Sequence, residues 1–170
     1  MCEPEAFWDL DGDESANSAL TEFALRAAEQ ALGVKLPEAY IALLRIKNGG
    51  YSRRFVFPTA IRTSWAEDHV PLDELFGIGS TSDKAGHQSI LCTPYMTREW
   101  GLPPKQVLLA GAGDWWITLD YRRGSDPQVS WIDVETDQDI VLAKSFEEFM
   151  SRLLPAEVAD SETFRIRAAS

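Results

Sequence analysis

The chain is short of the residues on which many enzymes and secreted domains are built. It has two cysteines, Cys2 and Cys92, in 170 residues. That is too few for a disulfide framework, and free thiols in a reducing compartment are expected. It has two histidines, His69 and His87, which fall in separate predicted loops. No His-Glu-x-x-His, Gly-x-Ser-x-Gly or Cys-x-x-Cys occurs, so the usual signatures of zinc hydrolysis, serine nucleophiles and dithiol chemistry are missing. No apolar run approaches the ~20 residues of a membrane span. The start, Met-Cys-Glu-Pro-Glu, has no basic region and no signal-peptide core, and a cytoplasmic protein is expected. Positive charge is scarce too: 16 Lys and Arg against 27 Asp and Glu leave a net charge of −11. That balance argues against nucleic-acid phosphates and anionic lipid surfaces as partners. It suits steering toward a basic partner, or solubility alone.

What is present centres on residues 31–50. Gly33 follows Ala31-Leu32 where a left-handed residue would close a helix, and Pro37 opens the next one. Tyr40, Leu43, Leu44 and Lys47 follow at helical spacing until Asn48-Gly49-Gly50 stops the run. Upstream, Ser18 is placed to cap a helix reaching Leu32, with Leu20, Phe23, Ala27 and Ala31 on its apolar stripe. Residues 1–17 form an acidic arm whose Phe7, Trp8 and Leu10 are expected to pack on the domain. Its Asp9-Leu-Asp-Gly-Asp-Glu stretch fails as a calcium loop, because Leu20 stands where the twelfth-position glutamate belongs.

Downstream, Arg53–Pro58 reads as a strand ended by proline, residues 59–69 as a loop, Val70–Leu75 as a short helical turn, and Phe76–Gly79 as a short buried strand. Ser80–Gln88 is a polar loop, and Ser89–Trp100 a third helix weakened by Pro94. Gln106–Ala110, Trp115–Tyr121, Val129–Val134 and Ile140–Leu142 are strands joined by short turns. Ser145 and Glu148 form a capping box for a last helix bearing Phe146, Phe149, Met150, Leu153 and Leu154. The expectation is one α+β domain over 18–154, in which helices cover one face of an antiparallel sheet. A C-terminal tail, 155–170, is pinned at most by Phe164 and Ile166.

Alternation along the strands then suggests a surface. If Ile132 shares the core face with Ile117 and Leu119, then Trp116, Asp120, Trp131 and Asp133 gather on the opposite face. Left uncovered by the arm or the tail, tryptophans beside carboxylates make a binding platform. Asp114, Trp65, Glu67, Asp68, Asp73 and Glu74 would form its rim. The enzymatic readings are thinner. Gly111-Ala-Gly-Asp114 lacks the third glycine and the helix of a dinucleotide site. A metal site on His69, His87 and an aspartate, or hydrolysis by Asp114 and Asp120, has no motif behind it. No catalytic residue, metal or cofactor is expected.

Ordered blocks of the chain resemble the SUKH superfamily, which holds bacterial immunity proteins of polymorphic toxin systems and fungal regulators of cell-wall synthesis. They are Leu32-Gly33, Leu36-Pro37, Tyr40, Leu43-Leu44 and Asn48-Gly49-Gly50; Phe76–Gly79; Tyr95-Met96, Trp100–Pro103 and Val107–Leu109; Trp116-Ile117 and Leu119–Arg122; and Ser145–Phe149. Members often carry Gly-Asp-Gly-His where this chain has Gly111-Ala-Gly-Asp114, so a role of that histidine does not carry over. The resemblance implies a bent, mostly antiparallel sheet with helices packed on one face. It also implies a non-catalytic protein that neutralises a cognate toxin domain, or else a general scaffold or regulatory module.

Overall fold

A computed structural model describes residues 4–11, 17–79 and 89–159. Cys2, the Ser80–Gln88 loop with His87, and the tail residues Phe164 and Ile166 lie outside the described residues. Cys92 is half-buried.

The N-terminal arm packs as its aromatics predict, with one exception. Helix α1 (Pro4–Phe7) delivers Phe7 onto Phe55, the rings stacked 5.5 Å apart, and Trp8 meets Phe7 edge-on at 4.9 Å. Both are fully buried, and the Trp8 indole N–H donates to the Leu43 carbonyl at 2.9 Å; Leu10 stays exposed. Helix α2 (Glu22–Leu32) is capped by Thr21 rather than Ser18: the Thr21 hydroxyl accepts the Ala24 N–H at 3.1 Å. Gly33 closes it at φ 68°. Its buried side carries Leu25 and Ala28, with Ala24 and Leu32 beside them, while Phe23, Ala27 and Ala31 face solvent. Small residues on several sides leave the apolar stripe ill-defined in the sequence, and packing chooses a neighbouring one. In α3 (Glu38–Ile46) the buried face is Tyr40, Ile41, Leu43 and Leu44, and the Tyr40 hydroxyl donates to the Phe76 carbonyl at 2.5 Å.

The α+β architecture with antiparallel pairing is as expected, and its strands fall into two hydrogen-bonded sheets. The first has order β2-β1-β7, from β1 (Gly50–Pro58), β2 (His69–Leu75) and β7 (Leu154–Pro155). Residues 70–75 are therefore strand, not a helical turn. Pairing with β1 overrides the local Pro71 and acidic pattern, and Pro71 is tolerated because β2 is an edge strand. Two adjacent arginines of β1 find partners locally: Arg53 donates to the Trp8 carbonyl at 3.1 Å, and Arg54 lies 3.7 Å from Asp73.

The second sheet has order β3-β4-β5-β6, from β3 (Gln106–Ala112), β4 (Trp115–Asp120), β5 (Gln128–Asp133) and β6 (Gln138–Ala143). A bond from the Phe76 N–H to the Leu109 carbonyl, 2.7 Å, joins the end of β2 to the edge of β3, so the sheets meet at a corner. Helix α4 (Thr93–Trp100) lies against β3; Pro94 sits harmlessly in its first turn, and a 3₁₀ turn (Ile90–Cys92) precedes it. Helix α5 (Phe146–Arg152) packs on β1, β5, β6 and α3, with Phe149 stacked on Phe57 at 4.9 Å. Its cap is reciprocal: the Ser145 hydroxyl accepts the Glu148 N–H at 3.1 Å, and the Glu148 carboxylate accepts the Lys144 N–H at 2.8 Å. Buried side chains from helices and both sheets form one contiguous core.

Candidate partner-binding surface

Register decides which side chains share a face. In the β4–β5 ladder Trp116 stands opposite Ile132, Ile117 opposite Trp131, and Trp115 opposite Asp133. Directly opposed residues point to the same side. Trp116 and Asp120 therefore lie on one face and Trp131 and Asp133 on the other, and the predicted four-residue platform does not exist. All four are buried, at 4% exposure or less. Trp116 packs edge-on against Phe76 and donates its indole N–H to the Gly113 carbonyl at 2.8 Å.

The two aspartates serve buried polar networks. Asp120 receives Gln106 at 2.9 Å, Ser130 at 3.2 Å and the Arg122 guanidinium through its Nε and one terminal nitrogen; Arg122 reaches Asp139 as well, at 2.6 Å. Burial pushes the Asp120 carboxyl up, but the hydrogen bonds from Arg122 and Gln106 outweigh it and hold it below the ordinary range. Asp133 is likewise held low against its burial, by the Ser64 hydroxyl and the Thr136 N–H.

The remaining predicted residues divide. Trp65, Glu67 and Asp68 belong to the β1–β2 loop, and Asp114 to the β3–β4 turn. Both segments meet at one end of the second sheet. Ser64 donates to Asp133; its N–H reaches Gln138 Oε1 at 3.0 Å, and the Gln138 amide donates to the Arg62 carbonyl at 3.3 Å. The Asp114 carbonyl accepts the Val134 N–H at 2.9 Å, which draws the β3–β4 and β5–β6 turns together. Three indoles run outward here: buried Trp131 stacks on Trp115 at 5.1 Å, and Trp115 meets Trp65 at 5.5 Å, with Trp65 50% exposed. Around this tip lie Glu67, Glu135 and Asp137, all exposed, and half-buried Asp114 and Asp68, the latter 2.8 Å from the His69 ring; Arg62 is the loop's own cation. Trp100 of α4 flanks Gly113 and is 43% exposed. Among the described residues no group of three or more His, Cys, Asp or Glu side chains is placed to hold a metal ion. No helix there is long and apolar enough to cross a membrane.

This chain matches the SMI1 / KNR4 family (SUKH-1) over residues 19–152, most of its length. It belongs to that family. No curated protein matches the chain. SUKH-1 membership carries a broad role of the immunity or regulatory type, exercised by binding other proteins. Two of the motif blocks that it shares with the superfamily meet in space. The Asn48 amide accepts the Ile78 N–H and donates to the Ile78 and Ser18 carbonyls, each at 2.8 Å. They tie the segment after α3 to the segment after β2.

Asp73 and Glu74 do not join the tip. They sit four and five residues along β2 from His69, ~15 Å away at strand spacing. Four residues at or beside the tip were not among the predicted surface residues: Trp115 and Trp100, and Glu135 and Asp137 of the β5–β6 turn. The adjacency of two short acidic turns at one end of a hairpin meander was the available signal for the last two.

Proposed function

We propose that this SUKH-1 chain is a non-catalytic immunity protein that acts in the cytoplasm of its producing cell by capping a basic toxin domain. The observation that carries the reading is the acidic tip itself. A half-exposed tryptophan stands on half-buried Trp115, itself stacked on buried Trp131, with Glu67, Asp114, Glu135 and Asp137 around it. Aromatic anchors with rigid backing dominate interface energies, and a ring of like charge steers an oppositely charged partner. The net charge of −11 adds a long-range term of the same sign.

The test is affinity capture from the native cell with the parent chain and with a Trp65→Ala, Glu67→Lys, Asp114→Lys variant, followed by expression of the captured protein with and without this chain. The reading expects a basic protein held by the parent and lost by the variant, toxic alone and tolerated with the parent. Capture that the variant retains removes the tip as the binding surface. A captured protein with no effect on growth turns the assignment to the regulatory branch of the family.

A further inference from the structure

The opposite end of the second sheet has the reverse character. Beyond Asp120 the chain turns at residues 121–127, one strand length, ~20 Å, from the Gly111–Asp114 turn. A cavity of about 720 Å³ opens there between the last turns of α2, the Gly33–Lys35 link, the start of β3 and this turn. Its walls are tied together, since the Tyr121 hydroxyl donates to the Lys35 carbonyl at 2.5 Å and the Tyr121 N–H to the Lys105 carbonyl at 2.9 Å. Leu32, Val34 and Tyr121 supply apolar lining, and Arg26, Lys35 and Lys105 supply charge. The carboxylate in the lining, Glu29, is already engaged by Lys35 at 2.7 Å and by the Leu36 N–H at 3.0 Å. Among the described residues Arg26 and Lys105 have no ion-pair or hydrogen-bonding side-chain partner. In so acidic a chain, two free cations at the mouth of a part-apolar cavity are a local reversal of sign.

Lys105 adds a second observation. It holds φ 58°, the left-handed region that suits glycine and that a lysine occupies at a cost. The position thus keeps a long cationic side chain at the cavity where the backbone would be easier without one.

We propose that this cavity binds a small organic anion, with a carboxylate or phosphate between Arg26 and Lys105 and a ring-sized apolar body against Leu32, Val34 and Tyr121. Its volume lies within the range of small-molecule sites. The proposal is independent of the toxin reading, because it concerns the other end of the molecule.

Calorimetric titration of the whole chain with two matched pairs tests it: adenosine 5′-monophosphate against adenosine, and 1-naphthoate against 1-naphthamide. The first pair probes phosphate, the second carboxylate. At least one anion is expected to bind with a submillimolar Kd, at least tenfold tighter than its neutral partner, and more weakly as salt rises. Arg26→Gln with Lys105→Gln is expected to weaken that anion tenfold or more, and Lys105→Arg to retain it. Both replaced side chains are exposed, and a melting curve checks that the double variant folds. Lys105→Gly, which relaxes the backbone, should melt higher than the parent yet bind the anion more weakly. Neutral partners binding as well as the anions, neither anion binding at millimolar concentration, or a double variant with parental affinity would each overturn the proposal.

Discussion

At Asn48 a single amide holds together segments that the sequence keeps thirty residues apart on either side. Its three side-chain bonds and the bonds that its own carbonyl accepts from Asn17 leave no spare room, and Gly77 shows how little. A Cβ on Gly77 would lie 2.3 Å from the Asn48 carbonyl oxygen, which is backbone and cannot swing away. Gly77→Ala is therefore expected to cost about 3 kcal/mol through forced separation of the two segments. Asn48→Ala is expected to cost a similar ~3 kcal/mol, through stranded backbone groups at Ile78 and Ser18. Urea unfolding of both variants checks the figures. Asp120 makes a prediction about pH. Its folded pKa is depressed, so the stability it contributes is complete above the ordinary carboxyl pKa of ~3.9 and is lost as pH falls through the lower folded value. Asp120→Asn should lose about 1–3 kcal/mol at neutral pH, where Arg122 keeps only Asp139, and the gap to the parent should close in acid. Unfolding curves at pH 7 and at successively lower pH follow the gap as it closes.

Among the elements, the β1–β2 loop depends for its position on a distant strand. Gln138 of β6 holds it from both sides, accepting from the Ser64 N–H and donating to the Arg62 carbonyl, while it also accepts the Trp131 indole N–H at 3.2 Å. Gln138→Ala should speed amide exchange at Ser64 by tenfold or more while lowering global stability by only about 1–2 kcal/mol. Unchanged exchange at Ser64 would mean that the loop stands without this tether. The same element explains what could be read from the chain alone. Helices α3 and α5 and the hairpin strands were legible because glycines, capping residues and β-branched runs mark them locally. Register was not. Five of the six residues of β5 are buried, so no apolar–polar alternation tells Trp131 from Ile132, and a one-residue slip exchanges every side chain between faces. That slip created the false platform of Trp116, Asp120, Trp131 and Asp133. Residues 70–75 failed for a related reason: Pro71, Asp73 and Glu74 imitate a first helical turn, and only the ladder with β1 overrules them. Trp65, Glu67 and Asp114 were legible as at least partly exposed because loops and turns keep their polar and aromatic residues outward whatever the register. Trp115 was not, since its exposure depends on where the β1–β2 loop lands.

The molecule as a whole is charged unevenly, and the unevenness is aligned with the second sheet. Glu67, Asp114, Glu135 and Asp137 gather at one end, Arg26, Lys35 and Lys105 at the other, and the separation of ~20 Å exceeds twice the ~8 Å over which salt screens charge at physiological strength. Each end therefore acts on its surroundings almost alone, and the acidic tip is not cancelled by the cations behind it. Charge and aromatic surface at that tip should then separate kinetically. Reversing Glu67, Asp114 and Glu135 to lysine removes steering, and is expected to slow association with the captured basic partner about tenfold or more at low salt, with the difference shrinking as salt is added. Trp65→Ala removes the anchor instead. It should leave association near the parental rate and hasten dissociation by about thirtyfold, the equivalent of a ~2 kcal/mol hot spot. Surface plasmon resonance at two salt concentrations separates these effects. Equal losses of association rate in both variants would mean that the tryptophan and the carboxylates do not play distinct parts, and that the tip binds as one undivided patch.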